Sequence, residues 1–416
     1  MGLAVVNAVA GGSTTSLRAE DGVIAELGAG VLPADGDDVI DAKGMALIPG
    51  FVNGHTHAAM TLFRGYADDL PLMEWLEGHI WPAEARLEAE DVYWGARLAC
   101  LEMIRTGTIR FWDMYWQPGA TARAAADAGL RATIGAPLID GGDAGATDEL
   151  RRAAAAGLEE LTDAPATITP SLAPHAIYTV SRESLEWIAA ESERLDLPVQ
   201  IHISETRGEV EGCLDEHGIR PVELLERVGL LTPRTLLAHA VWIDDEERAL
   251  IASGGATVVT NPVANMKLAV GRAFDLSAAE RHGIPIGLGT DGAGSNNSLD
   301  LLSDAKHLAL LQKHEAGDAA TAGADAVLAI ATGARAPLLG AGELAPGGPA
   351  DFLLVRTDSH ELALGGLAPG LVYASSGSIV DTTVVAGRAL MRSGVVEGSG
   401  EVIAGARERA ERLGLR

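Results

Sequence analysis

Residues 47–57 read LIPGFVNGHTH, an apolar run that stops at Asn53 and is followed by His55 and His57. The rhythm of the chain changes here. Before it, short apolar runs such as VIAEL and DDVIDA are broken by Gly and Asp and read as small strands joined by tight turns. After it, strand-like runs alternate with helical patterns, the signature of βα units around a parallel sheet. Counting 47–53, eight such runs follow one another: 108–114, 131–138, 166–174, 198–203, 235–240, 256–261 and 285–291. Between them, Val92, Leu98, Leu101 and Ile104 fall at helical spacing within 91–106, and 181–195, 244–252 and 299–314 behave alike. Eight repeats over roughly 300 residues predict a (β/α)8 barrel of the TIM type, with an open sheet as the alternative. The strand-and-turn style returns with ADFLLV and IVDTTVVAGRAL. The expected organisation is therefore 1–46 and 346–416 building a small β-sandwich domain, with a terminal helix over 402–413, around a barrel spanning 47–345.

The 416-residue chain has 47% hydrophobic and 21% charged residues, which suits a large packed core and excludes a disordered chain. A net charge of −27 makes nucleic acid and anionic membranes poor partners. It permits a homo-oligomer without specifying one. The two cysteines, Cys100 and Cys213, form no CxxC pattern, so no disulfide framework is expected and a reducing, cytoplasmic compartment is. Residues 1–12 lack the basic start of a signal peptide, and no apolar run is long enough to span a bilayer.

Polar residues stop the runs in a consistent way. The ends carry His55 and His57, then Asp113, His175, His202, His239, Asn261 and Asp291. In a barrel all of these face the carboxyl-terminal rim, where active sites are built. Five of the eleven histidines sit at such ends, more than scattered core histidines would supply. A His-x-His pair on a strand sends both rings to one face. With His202 and Asp291 it makes a three-nitrogen, one-oxygen set that suits a single divalent metal, zinc before iron(II) or manganese(II). Such an ion lowers the pKa of a bound water to about 7. Glu205, three residues past His202, fits a proton shuttle. His239 reads either as a ligand or as a group orienting the water. No P-loop or strand-linked GxGxxG occurs, so the glycines of GTDGAGSNN shape the turn around Asp291.

PGFVNGHTH, HISE, LLAH and GTDGAGSNNSLD, together with MTLFRGYADDLPLMEWLEGHIWPAEARL, resemble the amidohydrolase superfamily, in particular the branch of 5-methylthioadenosine/S-adenosylhomocysteine deaminases. The resemblance covers the whole chain. It implies metal ligation by His55, His57, His202 and Asp291, proton transfer by Glu205 and Asp291, and contact of His239 with the attacking water. It further implies that Glu84 binds ribose hydroxyls and that His175 contacts a purine. Binuclear relatives carry a lysine on the fourth strand. None of the four lysines here falls in 166–174, so one metal ion is expected.

Eleven of the seventeen aromatics lie between Phe51 and Trp116, giving the rim an apolar wall for a flat ring, with Trp75 as the chosen wall residue. Relatives that take S-adenosylhomocysteine have an arginine where this chain has Ala136, which favours 5'-methylthioadenosine, adenosine or 5'-deoxyadenosine. The expected activity is deamination of an adenine nucleoside. The rivals are the same machinery on a ribose-free ring (guanine, a pterin, a triazine or a cytosine-like base) and a catalytically inactive barrel serving as a scaffold.

Overall fold

A computed structural model describes residues 2–415. Eight parallel strands carry the site: β1 (Phe51–Thr56), β2 (Thr108–Met114), β3 (Arg131–Gly135), β4 (Ile168–Pro170), β5 (Val199–Ile203), β6 (Thr235–His239), β7 (Thr257–Thr260) and β8 (Ile286–Leu288). They pair as two four-stranded sheets, β1 to β4 and β5 to β8. The halves meet along one seam through parallel bridges Leu172↔Val199 and Ala176↔His202. Along the other, the Asp291 amide donates to the His55 carbonyl at 3.0 Å. That seam is close because glycine permits it. A Cβ on Gly289 would lie 2.3 Å from Asn261 Oδ1 and 2.9 Å from the His55 carbonyl oxygen.

Side chains alternate along the strands as the period of two requires. Ile201, Leu237, Val258, Ile286 and Leu288 join the large core shared with the helices, while Val52, Trp112, Leu236, Ala238 and Val259 join a smaller cluster closed by Ala336 and Leu339. Each fully buried side chain of this size contributes about 1.5–3 kcal/mol, so packing on both faces holds the rim in place. The helices begin where short polar side chains can satisfy their first amides. Ser181 and Asp300 cap Arg182–Leu195 and Leu301–Ala316, and Asp244 with Glu247 forms a capping box before Asp245–Gly254.

The run 47–53 divides. Met45–Pro49 is not a barrel strand; it pairs antiparallel with Phe352–Arg356 in the terminal sheet, and β1 begins only at Phe51. Pro49 and Gly50 break the run, which composition alone does not show. The terminal pieces form one eight-stranded sheet. Its order runs from Arg388–Met391 through Val380–Val385, Phe352–Arg356, Met45–Pro49, Leu3–Ala10 and Ser13–Glu20 to Val23–Gly28, with Asp38–Asp41 beside Leu3–Ala10. Val23–Gly28 returns to residues 347–349, so the sheet curls around Leu3, Leu17, Ile24, Phe352 and Leu354. Arg131 on β3 pairs with Asp351 at 2.6 Å and ties this sheet to the strand array. Among the described residues no helix is long and apolar enough to cross a membrane.

Candidate active site

Three strand ends leave the ordinary backbone where they meet the site. Ser204 follows β5 at φ 48°, His239 and Ala240 end β6 at 70° and 48°, and Asp291 follows β8 at 60°. Non-glycine residues rarely adopt this left-handed region, and such strain gathers at functional sites. It has a visible effect at His239. Alternation would send it the way of Leu237, toward the helices. The left-handed turn instead brings its ring to 5.6 Å from that of His55 and 5.5 Å from that of His202.

The structure brings the four expected ligands together. His55, His57 and Asp291 present ligand atoms within 4.8 Å of one another, and so do His55, His202 and His239. His57 Nε2 lies 3.1 Å and His55 Nε2 3.5 Å from Asp291 Oδ1. Second partners set the tautomers. His57 Nδ1 donates to the Met114 carbonyl at 2.6 Å and His202 Nδ1 to the His175 carbonyl at 2.7 Å, so in the neutral, metal-binding form of each ring the lone pair is on Nε2. Those two Nε2 atoms face each other at 3.3 Å. Two lone pairs at that distance repel unless a cation lies between them. Both ring nitrogens of His55 and Asp291 Oδ1 are buried without a hydrogen-bond partner, whereas Asp291 Oδ2 accepts from Ser295 Oγ at 2.6 Å. Orphaned buried acceptors are costly. The donor set therefore fits a divalent ion with nitrogen and oxygen preference.

Electrostatics separates the two carboxylates. Burial pushes the Glu205 carboxyl above the usual range. Asp291 is buried as well, but its contacts with His55 and His57 hold it well below. Burial lowers His55 to about 4, leaving a neutral imidazole able to bind a metal. One group suited to carry a proton and one suited to stay ionised is the arrangement expected of an acid and a base sharing a site. Glu205 Oε1 lies 3.8 Å from His239 Nδ1, which also bonds Asn265 Oδ1 at 2.8 Å.

A cavity above these residues is lined by Trp75, Trp81, Glu84, Tyr115, Trp116, His175 and Glu205, among others. Glu84 is not a surface carboxylate. Its oxygens accept from Tyr115 Oη at 2.7 Å and Trp116 Nε1 at 3.3 Å, and burial raises its pKa. His175 Nδ1 bonds Thr179 Oγ1 at 2.9 Å, and the buried Trp75 ring lies against Gly294 beside Asp291. Ala136 lies toward Gly157 on a neighbouring helix; Pro137 and Ile139 line the cavity instead. Sequence reasoning missed Asn265, Ser295 and Tyr115, and gave Asp113 no role. Asp113 Oδ1 in fact accepts from the Ala58 amide at 2.6 Å, pinning the turn after His57. Only Asp113, within β2, and Tyr115, directly after it, sit close enough to a strand end to have left a signal.

Residues 46–390 match the amidohydrolase family model. The chain belongs to the amidohydrolase family. Among its relatives, a 5'-deoxyadenosine deaminase of Methanoregula boonei is 46% identical over 379 residues, covering 90% of this chain and 86% of the relative. A 5-methylthioadenosine/S-adenosylhomocysteine deaminase of Archaeoglobus fulgidus is 40% identical over 404 residues, covering 96% and 95%. The crystal structure of an adenosine deaminase from Xanthomonas campestris with bound zinc is 34% identical, with a TM-score of 0.90 over 97% of this chain and 94% of that one. An atrazine chlorohydrolase from Arthrobacter aurescens in complex with zinc reaches a TM-score of 0.88 over 98% of each chain at 21% identity, a likeness of fold alone. This amidohydrolase thus shares its mixed α/β architecture with enzymes of differing chemistry, and its own residues must decide its reaction.

Proposed function

We propose that this amidohydrolase deaminates an adenine nucleoside at C6, giving the inosine-type product and ammonia. The observation that carries the reading is the convergence of His55, His57, His202 and Asp291, with His55 and Asp291 Oδ1 orphaned, beneath a cavity that also holds the buried Glu205 carboxyl and the half-buried Glu84. The names of the relatives point the same way. The four ligands would hold one divalent ion, zinc in the first instance, which when bound acidifies a water and polarises the reacting centre.

The chain's own groups then have distinct tasks. Glu205 gives its proton to the ring nitrogen beside C6. Asp291 takes the proton of the attacking water and passes it to the leaving amine, while His239, held by Asn265, orients that water. Glu84, fixed by Tyr115 and Trp116, accepts from the ribose hydroxyls; His175 contacts the purine and Trp75 covers it. Among the described residues, no Arg or Lys lines the cavity, and its carboxylates are Glu84, Glu205 and Asp291. A 5' substituent bearing a carboxylate would go unpaired there at a cost. The preferred substrates are thus 5'-deoxyadenosine, 5'-methylthioadenosine and adenosine over S-adenosylhomocysteine.

In the same reading, the two half-sheets close as a (β/α)8 barrel that begins at Phe51 within the expected span 47–345, the terminal segments 1–46 and 346–416 pack as a sandwich with residues 47–49 added to it, and the enzyme works in the cytoplasm. The test is ammonia release from adenosine, 5'-methylthioadenosine, 5'-deoxyadenosine, S-adenosylhomocysteine and guanine by the zinc-loaded protein. Turnover of the three neutral nucleosides, with S-adenosylhomocysteine slower, is expected. Turnover of guanine alone, or of none, would overturn the proposal.

A further inference from the structure

The turn that aims Glu205 is held from both sides. On one side its carbonyls are taken by the segment that follows β6: the Ala240 amide donates to the Ile203 carbonyl at 3.0 Å and the Trp242 amide to the Ser204 carbonyl at 2.8 Å. On the other side, the Ser204 amide donates to Glu209 Oε1 at 2.7 Å and the Glu205 amide to Glu209 Oε2 at 2.9 Å. Glu209 stands in the first turn of the helix Arg207–His217, three residues after its cap Thr206, whose hydroxyl accepts from the Glu209 amide at 3.2 Å. The spelling Thr-x-x-Glu is that of a capping box, in which the glutamate side chain returns to the amide of the cap itself. Here it reaches past Thr206 to the two amides before it.

The reach has a reason in the backbone. Ser204 is held at φ 48°, outside the region a serine prefers, and nothing in its own side chain compensates, because its hydroxyl is buried without a partner. Left-handed backbone of this kind persists only where the surroundings over-determine it. Glu209 does so with a buried carboxyl, even though burial pushes that group up to about 8 against the pull of the two amides. A merely structural cap would not need a buried carboxyl spanning two consecutive amides next to a proton-transfer group.

We infer that Glu209 is a positioning residue for the deamination: by clamping the amides of Ser204 and Glu205 it fixes the left-handed turn that points the Glu205 carboxyl at the reacting ring. The inference rests on the role of Glu205 proposed above. Glu209→Gln keeps the shape but puts an NH2 against one of the two amides. It should lower kcat on 5'-deoxyadenosine by about 10- to 100-fold, the usual cost of removing an orienting partner, with KM within about threefold and zinc content unchanged. In a Glu205→Gln background the same substitution should cost almost nothing further, because there is no longer a proton donor to aim.

Amide exchange over residues 203–206, read by mass spectrometry, should be faster in Glu209→Gln than in the wild type, whatever the substrate. Wild-type kcat in Glu209→Gln, a full additive loss in the Glu205→Gln background, or unchanged exchange would overturn the inference. If Glu209→Gln fails to fold, Glu209→Asp takes its place in the same cycle. Failure of both to fold would make Glu209 a scaffold residue and overturn it too. Should the wild type not deaminate adenine nucleosides, or Glu205→Gln run at the wild-type rate, the proposed function fails by itself, and the exchange measurement still decides the clamp.

Discussion

At the carboxyl ends of the strands, His55, His57, His202, His239 and Asp291 lie within a few ångströms of one another, and His239, Asp291 and Ser204 are held in left-handed backbone. A few residues earlier on the same strands, Val52, Leu236, Ala238 and Val259 pack with Leu339 into a dry cluster with ordinary strand geometry. One β-strand thus supplies a stable foot and a strained, polar tip within four residues, as Leu236 and His239 show. The lesson is that the cost of orphaned acceptors and unfavourable φ at the tip is carried by burial at the foot. Chemistry and stability should therefore respond to different substitutions.

The largest break in that contrast comes from stripping the tip of its ion. Prolonged chelation should abolish ammonia release, and added zinc should restore it, while the far-ultraviolet circular dichroism spectrum stays that of a folded protein. Loss of the fold on chelation would mean the tip also carries stability. Next in size, Glu205→Gln should lower kcat by about 10²–10⁴-fold with the thermal midpoint nearly unmoved; near-normal turnover would remove Glu205 from proton transfer.

Glu84→Ala should cost less and show chiefly in KM for nucleosides. A hydrogen bond to a charged group is worth about 1.5–3 kcal/mol, so kcat/KM should fall by about 10- to 100-fold. An unchanged KM would argue for a ring without ribose. At the foot, Leu339→Ala leaves a hole beside Gly54 and Gly287. It should lower unfolding free energy by about 2–5 kcal/mol in denaturant titration with kcat retained; a matching loss of kcat would show the two regions to be coupled.

A last effect is one of pH. The Glu209 carboxyl is raised to about 8 in the folded chain from 4.5, so the folded state favours its neutral form. The stability this group contributes is complete below about 4.5 and drains away as pH rises toward 8. Unfolding midpoints between pH 5 and pH 8 should therefore fall less steeply in Glu209→Gln than in the wild type.

Much of this was already legible along the chain. Eight apolar runs and the polar residues that end them are local facts, and they marked where β2 to β8, part of β1 and the four expected ligands lie, because alternation and turn chemistry act over a few neighbours. His55 and His57 needed only their spacing to be seen as a pair. The remainder came from long-range packing. Pro49 and Gly50 divide one apolar run between two sheets, a choice made by pairing with Phe352–Arg356 some three hundred positions away. His239 turns inward only because its φ is 70°, which the neighbours Ala238 and Ala240 do not announce. Asn265, Tyr115 and Glu209 act through contacts that no periodicity encodes. Side-chain direction at a strand end depends on backbone torsions set by distant packing, and hydrogen-bond partners exist only once the strands are side by side.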